Sequence, residues 1–280
     1  MKKLFFVSAA IIMMAGCGTA KKAAVLPEYD FPALNQGGKT AIVAHRGFWK
    51  SEEGGMSENS IASLSAAINN GFWGSECDIY LTSDDDIIIN HDNRIDGLKI
   101  VSHTYDELSS HLLPNGEKRP SLDGYLARAS KCAGNTVLVV EFKGLGDEER
   151  ENLMVARTFD ALKAHGMFDP SKVAFISFGY NICKTVARLA PGFVNQYLNG
   201  DIAPDKLAAE GINGIDYEQG VFHLHPEWVE LAHRLGMSVN VWTVNNPREI
   251  DYMIGLGVDA ITTNVPLLVR EHLGGKEFRK

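Results

Sequence analysis

The chain has 280 residues, 45% of them hydrophobic and 22% charged, a composition that excludes disordered and fibrous classes and fits one large α/β domain or two small ones. Net charge is -8 and no run of five or six basic residues occurs, so nucleic acid is not an expected partner. Acidity leaves a phosphate substrate open, because a bound divalent cation inverts the local field.

The first residues read as a targeting segment. Lys2 and Lys3 precede an apolar run over residues 4–14 that is too short to span a bilayer. The run ends in Met14-Ala15-Gly16-Cys17, which resembles a bacterial lipobox. The expected organisation is a signal peptide over 1–16, a lipid-anchored tether over 17–37 with Cys17 acylated, and one domain over 38–280. Lys21 and Lys22 give the tether no acidic character, so the expected product is an exported, membrane-anchored lipoprotein facing the periplasm. Cys77, Cys132 and Cys183 are too widely spaced for a disulfide framework or a zinc pattern and are expected to be small buried apolar residues.

From residue 40 onward, short β-rich apolar runs alternate with helix-period segments. Strands are expected over 40–44, 74–81, 136–142, 173–177, 193–197, 214–217, 238–243 and 260–263, with helices over 61–70, 148–165, 181–189, 226–235 and 247–256. Such alternation predicts parallel pairing through right-handed crossovers. A ninth apolar run over 87–90 follows the second strand after a five-residue polar turn, too short for a crossover, so it must return antiparallel as a hairpin. Eight strands remain. The predicted fold is an α/β, TIM (β/α)8 barrel with a small hairpin insertion after the second strand. No Gly-x-Gly-x-x-Gly follows the first strand, which removes the main mark of a dinucleotide fold.

The chemistry-bearing residues collect at strand C-terminal ends, where a barrel builds its site. Strand one ends in His45-Arg46-Gly47, strand two carries Glu76-Cys77-Asp78, the hairpin ends in His91-Asp92, and the third barrel strand ends in Glu141-Phe142-Lys143. A period of two puts Glu76 with Asp78, and Glu141 with Lys143, on one face. Three converging carboxylates suit a hard cation such as Ca²⁺ or Mg²⁺. An internal salt-bridge cluster of the same three with Arg46 and Lys143 satisfies the spacing too. His45 and His91 can supply a base and an acid near neutral pH, and Arg46 offers a planar fork to phosphate oxygens. His223-Leu224-His225 has a metal-like spacing but no third ligand nearby, and is expected to be structural; His103, His111, His165, His233 and His272 have no partner nameable from sequence.

In order along the chain, His45-Arg46-Gly47, Glu58-Asn59-Ser60, Glu76-x-Asp78-Ile79, His91-Asp92, Arg119-Pro120-Ser121-Leu122, Glu141-x-Lys143, Ser177-Phe178, Trp242-Thr243-Val244-Asn245 and Ile261-Thr262-Thr263-Asn264-x-Pro266 resemble the motifs of the glycerophosphodiester phosphodiesterase family over roughly residues 40 to 268. The resemblance implies metal-dependent hydrolysis of glycerophosphodiesters to sn-glycerol 3-phosphate and an alcohol. It implies His45 and His91 as the catalytic pair, Glu76, Asp78 and Glu141 as ligands of Ca²⁺ or Mg²⁺, Arg46 and Lys143 on the phosphate, and Asn59 and Trp242 on the pocket wall. Ser57 stands where the family usually has Pro, Asp85 where a turn Gly is usual, and Asn264 where Asp is common. Two other readings use the same residues: a phospholipase C- or D-like enzyme on intact or lysophospholipid, and a non-catalytic headgroup-binding lipoprotein. The oligomeric state is left open.

Overall fold

The protein is described from a computed structural model that covers residues 40–131 and 135–274. Its strands are β1 (Ala41–Ala44), β2 (Gly74–Leu81), β3 (Ile87–Ile89), β4 (Arg94–Ile95), β5 (Leu98–Lys99), β6 (Val137–Phe142), β7 (Val173–Ser177), β8 (Val194–Tyr197), β9 (Gly214–Glu218), β10 (Ser238–Trp242) and β11 (Ala260–Thr263). Eight of them pair in parallel in the order β1, β11, β10, β9, β8, β7, β6, β2, and β2 pairs back onto β1. The ring is closed: a TIM barrel. β3 lies outside it, antiparallel to β2, as the short turn requires.

The expected strands and long helices are present, with ends displaced by a residue or so; the helix expected over 226–235, for example, runs Glu227–Arg234. Short helices at Tyr105–Ser109, Pro204–Ala209 and Gln219–Leu224 and the β4–β5 hairpin were not expected, because each is too brief to show a period.

Alternation along each strand divides the core. Ile42, Tyr217, Val239, Ile261 and their like point outward against the helices, as do Phe142, Phe175 and Phe193, whose rings stack at 5.4–5.7 Å. Inward, one side of the barrel is filled by Val43, Val139, Ala174 and Val194. The other side is polar and internally bonded: Gln196 Nε2 donates to Ser238 Oγ at 2.9 Å and Asn240 Nδ2 to Thr262 Oγ1 at 2.9 Å.

Two motifs have clear local causes. The β2–β3 turn takes Asp85 through φ +63°, a left-handed position, which is why glycine is usual there; Asp85 recovers an ion pair with Arg150. Ser121 caps the helix Leu122–Ala129, while Pro120 O accepts the Ile89 N–H at 2.9 Å and Arg119 donates to Asn90 Oδ1 at 2.7 Å. The Arg-Pro-Ser-Leu segment thus clamps the hairpin that carries His91.

Cys77 and Cys183 are fully buried, as expected; Cys132 and Cys17 lie outside the described residues. His223 bonds Glu249 at 2.7 Å and stacks on Tyr252, while His225 bonds Glu227 and stacks on Trp228, so the pair faces separate partners and forms no joint site. His111, His165, His233 and His272 each meet a carboxylate that sequence could not name.

Candidate active site

At the strand C-terminal ends, a cavity of about 180 Å³ is lined by His45, Arg46, Glu76, His91, Glu141, Lys143, Asp216, Trp242 and Thr262, with Ile176, Phe178 and Leu198 on its apolar side. The three residues of the Glu58-Asn59-Ser60 motif brace the residues around it in three ways. Ser60 caps the helix Ile61–Asn69 in a capping box with Ser63. Asn59, at φ +55°, donates from Nδ2 to Asp78 Oδ2 at 2.7 Å and accepts the Asp78 N–H at 3.2 Å. Glu58 takes both its oxygens to Arg46 Nη1 at 2.8 and 2.9 Å. Asn59 therefore braces Asp78 from behind rather than lining this cavity.

Arg46 also sits at positive φ (+56°), unusual for a bulky residue, and that backbone turn aims its N–H at Glu76 Oε2, 2.6 Å away. Glu76, Asp78 and Glu141 are buried, and ligand oxygens from all three lie within 4.8 Å of one another. Lys143 Nζ bridges Asp78 Oδ1 at 2.7 Å and Glu141 Oε1 at 2.5 Å. A pure salt-bridge cluster would end there. It leaves Glu76 Oε1 buried with no hydrogen-bond partner among the described residues, and protonating it would leave an O–H equally alone. A hard cation satisfies that oxygen together with the other two carboxylates, so the donor set fits the group that sequence predicts.

The electrostatics follow from burial. Burial, then the charges of Asp78 and Glu141, pushes the Glu76 carboxyl well above the usual carboxylate range. Burial and Asp78 raise Glu141 to about 7 against the pull of Lys143. Burial would raise Asp78 too, but Lys143 overrides it and holds Asp78 below its ordinary value. Lys143 in turn is kept charged by Asp78 and Glu141 despite burial.

Burial and the adjacent Arg46 pull His45 down to about 4, with the Asn264 bond opposing. His45 Nδ1 lies 2.9 Å from Asn264 Oδ1, an atom that can only accept; Nδ1 therefore carries the hydrogen and Nε2 keeps its lone pair. Trp49 Nε1 donates to the same oxygen at 3.3 Å. Asn264 is itself fixed by Asn245, whose Oδ1 accepts from Asn264 N at 2.8 Å and Thr263 Oγ1 at 3.1 Å. The Trp-Thr-Val-Asn and Ile-Thr-Thr-Asn motifs thus act together to orient one imidazole. His91, 38% exposed, directs Nδ1 to Asp92 Oδ1 at 2.8 Å. It lines both this cavity and a second one of about 420 Å³, which Trp49, Met56, Glu58, Asn59, Arg94, Asp96 and Arg119 also line.

The model of the glycerophosphoryl diester phosphodiesterase family matches residues 45–268. The chain belongs to that family. A glycerophosphodiester phosphodiesterase from Caldanaerobacter subterraneus is 25% identical over 251 residues, 81% of this chain and 95% of that protein. The crystal structure of a glycerophosphodiester phosphodiesterase from Parabacteroides distasonis is 40% identical with a TM-score of 0.82, covering 85% of this chain and 98% of that one. An Oleispira antarctica phosphodiesterase, solved with its product sn-glycerol-3-phosphate, shares the fold at 22% identity and a TM-score of 0.70, covering 84% and 97%. This glycerophosphodiester phosphodiesterase family member is an enzyme that hydrolyses glycerophosphodiesters, and the family depends on a divalent cation.

In this member of the family the structure brings His45, Arg46, Glu76, His91, Glu141, Lys143 and Trp242 to one cavity, with Asp78 at its wall and Asn59 behind Asp78. Sequence reasoning named neither Asp216 nor Trp49; it gave Phe178, Asn245 and Asn264 as motif members without a role, Asn264 also as a departure. Phe178 meets the Trp242 ring edge-on at 5.5 Å. Burial first, then the Glu141 charge, raises the Asp216 carboxyl well above its usual range, weakly opposed by Asn240.

Proposed function

We propose that the enzyme releases sn-glycerol 3-phosphate and an alcohol, with His45 as general base and His91 as general acid. The observation that carries this reading is the asymmetry of the two imidazoles. His45 is half-buried, held neutral, and presents a free Nε2 to the cavity. His91 stands at the boundary with the second cavity, on the side where a leaving alcohol of any size has room.

Glu76, Asp78 and Glu141 would hold Ca²⁺ or Mg²⁺, which when bound neutralises phosphate charge and acidifies a nearby hydroxyl. Arg46 and Lys143 lie beside those carboxylates, where they stabilise charge developing on the phosphoryl oxygens. His45 Nε2 takes the proton of the glycerol hydroxyl next to the ester as that oxygen attacks phosphorus. His91 protonates the departing alkoxide. A cyclic phosphate followed by hydrolysis fits a base and an acid on two sides of phosphorus. Trp242 packs over the glycerol carbons.

The second part of the reading concerns residues outside the described range: cleavage before Cys17, acylation of its thiol, a tether to residue 37, and a periplasm-facing domain from residue 38. The lysines at 2 and 3, the apolar run and the Ala-Gly-Cys sequence support it. The test of the activity is divalent-dependent release of glycerol 3-phosphate from glycerophosphocholine. Chelation with EDTA should abolish it and added Ca²⁺ or Mg²⁺ restore it; turnover unaffected by EDTA contradicts the assignment of the carboxylates.

A further inference from the structure

Facing the carboxylate cluster is a group that the chemistry above does not use. In the eight-stranded ring β9 lies four strands from β2 in either direction, so Asp216 on β9 looks across the cavity at Glu76 and Asp78. Asp216 is 1% exposed, and neither carboxyl oxygen has a hydrogen-bond partner among the described residues. Of the surrounding donors, the Asn240 amide acts on the carboxyl, but its short bond goes to Thr262. Trp242 Nε1 goes to the Asp216 main-chain carbonyl at 2.9 Å, and Gln196 to Ser238. A buried carboxyl left unpaired destabilises a fold, so its retention in the cavity calls for a bound donor.

We infer that Asp216 recognises the glycerol end of the substrate, its carboxyl accepting a hydrogen bond from the terminal hydroxyl. The inference rests on the glycerophosphodiester reading and adds to it the residue that reads the free terminal hydroxyl of the glycerol. With phosphate on the β1–β2–β6 side, the three-carbon chain crosses the cavity past Ile176 and Leu198, and its far hydroxyl arrives at β9. About 180 Å³ is the bulk volume of roughly six waters, room for a small polyol phosphate and an ion. An acyl group on the terminal oxygen both removes the donor and adds a chain that this end of the barrel, closed by Gln196, Ser238 and Asn240, does not admit. Lysophospholipids acylated there are therefore excluded. Either protonation form of Asp216 offers an acceptor oxygen.

The test compares binding of sn-glycerol 3-phosphate with binding of 1,2-propanediol 1-phosphate, which keeps the hydroxyl beside the ester and lacks the terminal one. Titration calorimetry with Mg²⁺ or Ca²⁺ present is run on the wild type, Asp216→Asn and Asp216→Leu. The wild type should favour glycerol 3-phosphate on the order of 10- to 100-fold. In Asp216→Leu the ratio should fall to about 1, through lost affinity for glycerol 3-phosphate alone; Asp216→Asn, which preserves size should the leucine variant not fold, should lose roughly threefold or more of it. A wild-type ratio of one, no binding of glycerol 3-phosphate, or an unchanged ratio in the variants overturns the inference. Hydrolysis of glycerophosphocholine is read on the same preparations. Turnover with an Asp216-independent ratio removes the recognition and keeps the activity; an Asp216-dependent ratio without turnover does the reverse.

Discussion

Replacing Asn264 by Asp changes one atom beside the proposed base and nothing in the cation site. In the native enzyme the neutral Asn264 oxygen, 2.9 Å from His45 Nδ1, orients the ring, while burial and Arg46 hold it at about 4. A carboxylate in its place adds an opposite charge: at a charge separation of ~4 Å and an effective dielectric of ~20 the attraction is about 4 kcal/mol as an upper bound. Part of that is lost to desolvating the new charge, so the rise should be roughly 1–3 pH units. His45 would then titrate between about 5 and 7. Because the base must be neutral, the acid limb of kcat/KM should move up by the same amount, and the His45 ring proton followed by NMR in the metal-free protein should move with it. Stability gives a second readout. The unfolded His45 takes its proton near 6.5 and the folded one not until about 4, so this group's contribution is complete above 6.5 and is lost as pH falls through 4. At about 1.36 kcal/mol per pH unit the loss is roughly 3.4 kcal/mol, and Asn264→Asp should shrink it in proportion. A variant whose ring titration and acid limb both stay at the wild-type position refutes the assignment of His45 as the base oriented by Asn264.

Glu76→Gln should abolish Ca²⁺ and Mg²⁺ binding by calorimetry while leaving the metal-free melting temperature unchanged or higher, since it replaces a buried carboxyl with an unpartnered oxygen by an amide of the same size; wild-type affinity would show the ligands to be misassigned. In the wild type, cation affinity should weaken as pH falls through about 7, because Glu141 must release a proton to bind, and the raised Glu76 carboxyl acts in the same direction. His91→Ala should lower turnover on the order of 10²–10⁴-fold and recover on a nitrophenyl leaving group, which needs no acid, whereas His45→Ala should not recover; equal recovery in both reverses or voids the roles. Cys17→Ser should move the full-length protein from the membrane fraction to the soluble one, and a wild type found soluble with an unmodified N-terminus counts against the anchor.

The barrel and most of the site were legible because both write themselves into short-range pattern. Glu76, Asp78, Glu141 and Lys143 show their common face through a two-residue period, and His45 and His91 stand at strand ends. Asp216 obeyed the same rule: it sits two residues after Gly214 on an inward-facing strand and could have been found by asking which face it occupied. Asn264 was harder. Its bond to His45 spans 219 positions, and only ring closure through the β1–β11 pairing makes the two neighbours. The same holds for the carboxylate partners of His111, His165, His233 and His272, contacts made by surface side chains that no period encodes. Asn59, put on the pocket wall by the resemblance alone, bonds Asp78 and lines the second cavity and not the one that holds His45.

The hairpin that carries His91 has one further meaning. β3 lies outside the closed ring, is joined to β2 through three register pairs, and is pinned by Pro120 and Arg119. His45 and the three carboxylates belong to the ring itself. The proposed proton donor is therefore mounted on a hairpin outside the ring, which together with the loops at Trp49 and Arg94 encloses the larger cavity. Exchanging residues 82–120 between relatives should transplant the preference for the departing alcohol without disturbing the ring-borne ligands. The proposed acid and the wall facing the departing alcohol thus share one segment outside the ring, while the proposed base and cation ligands stay with the ring.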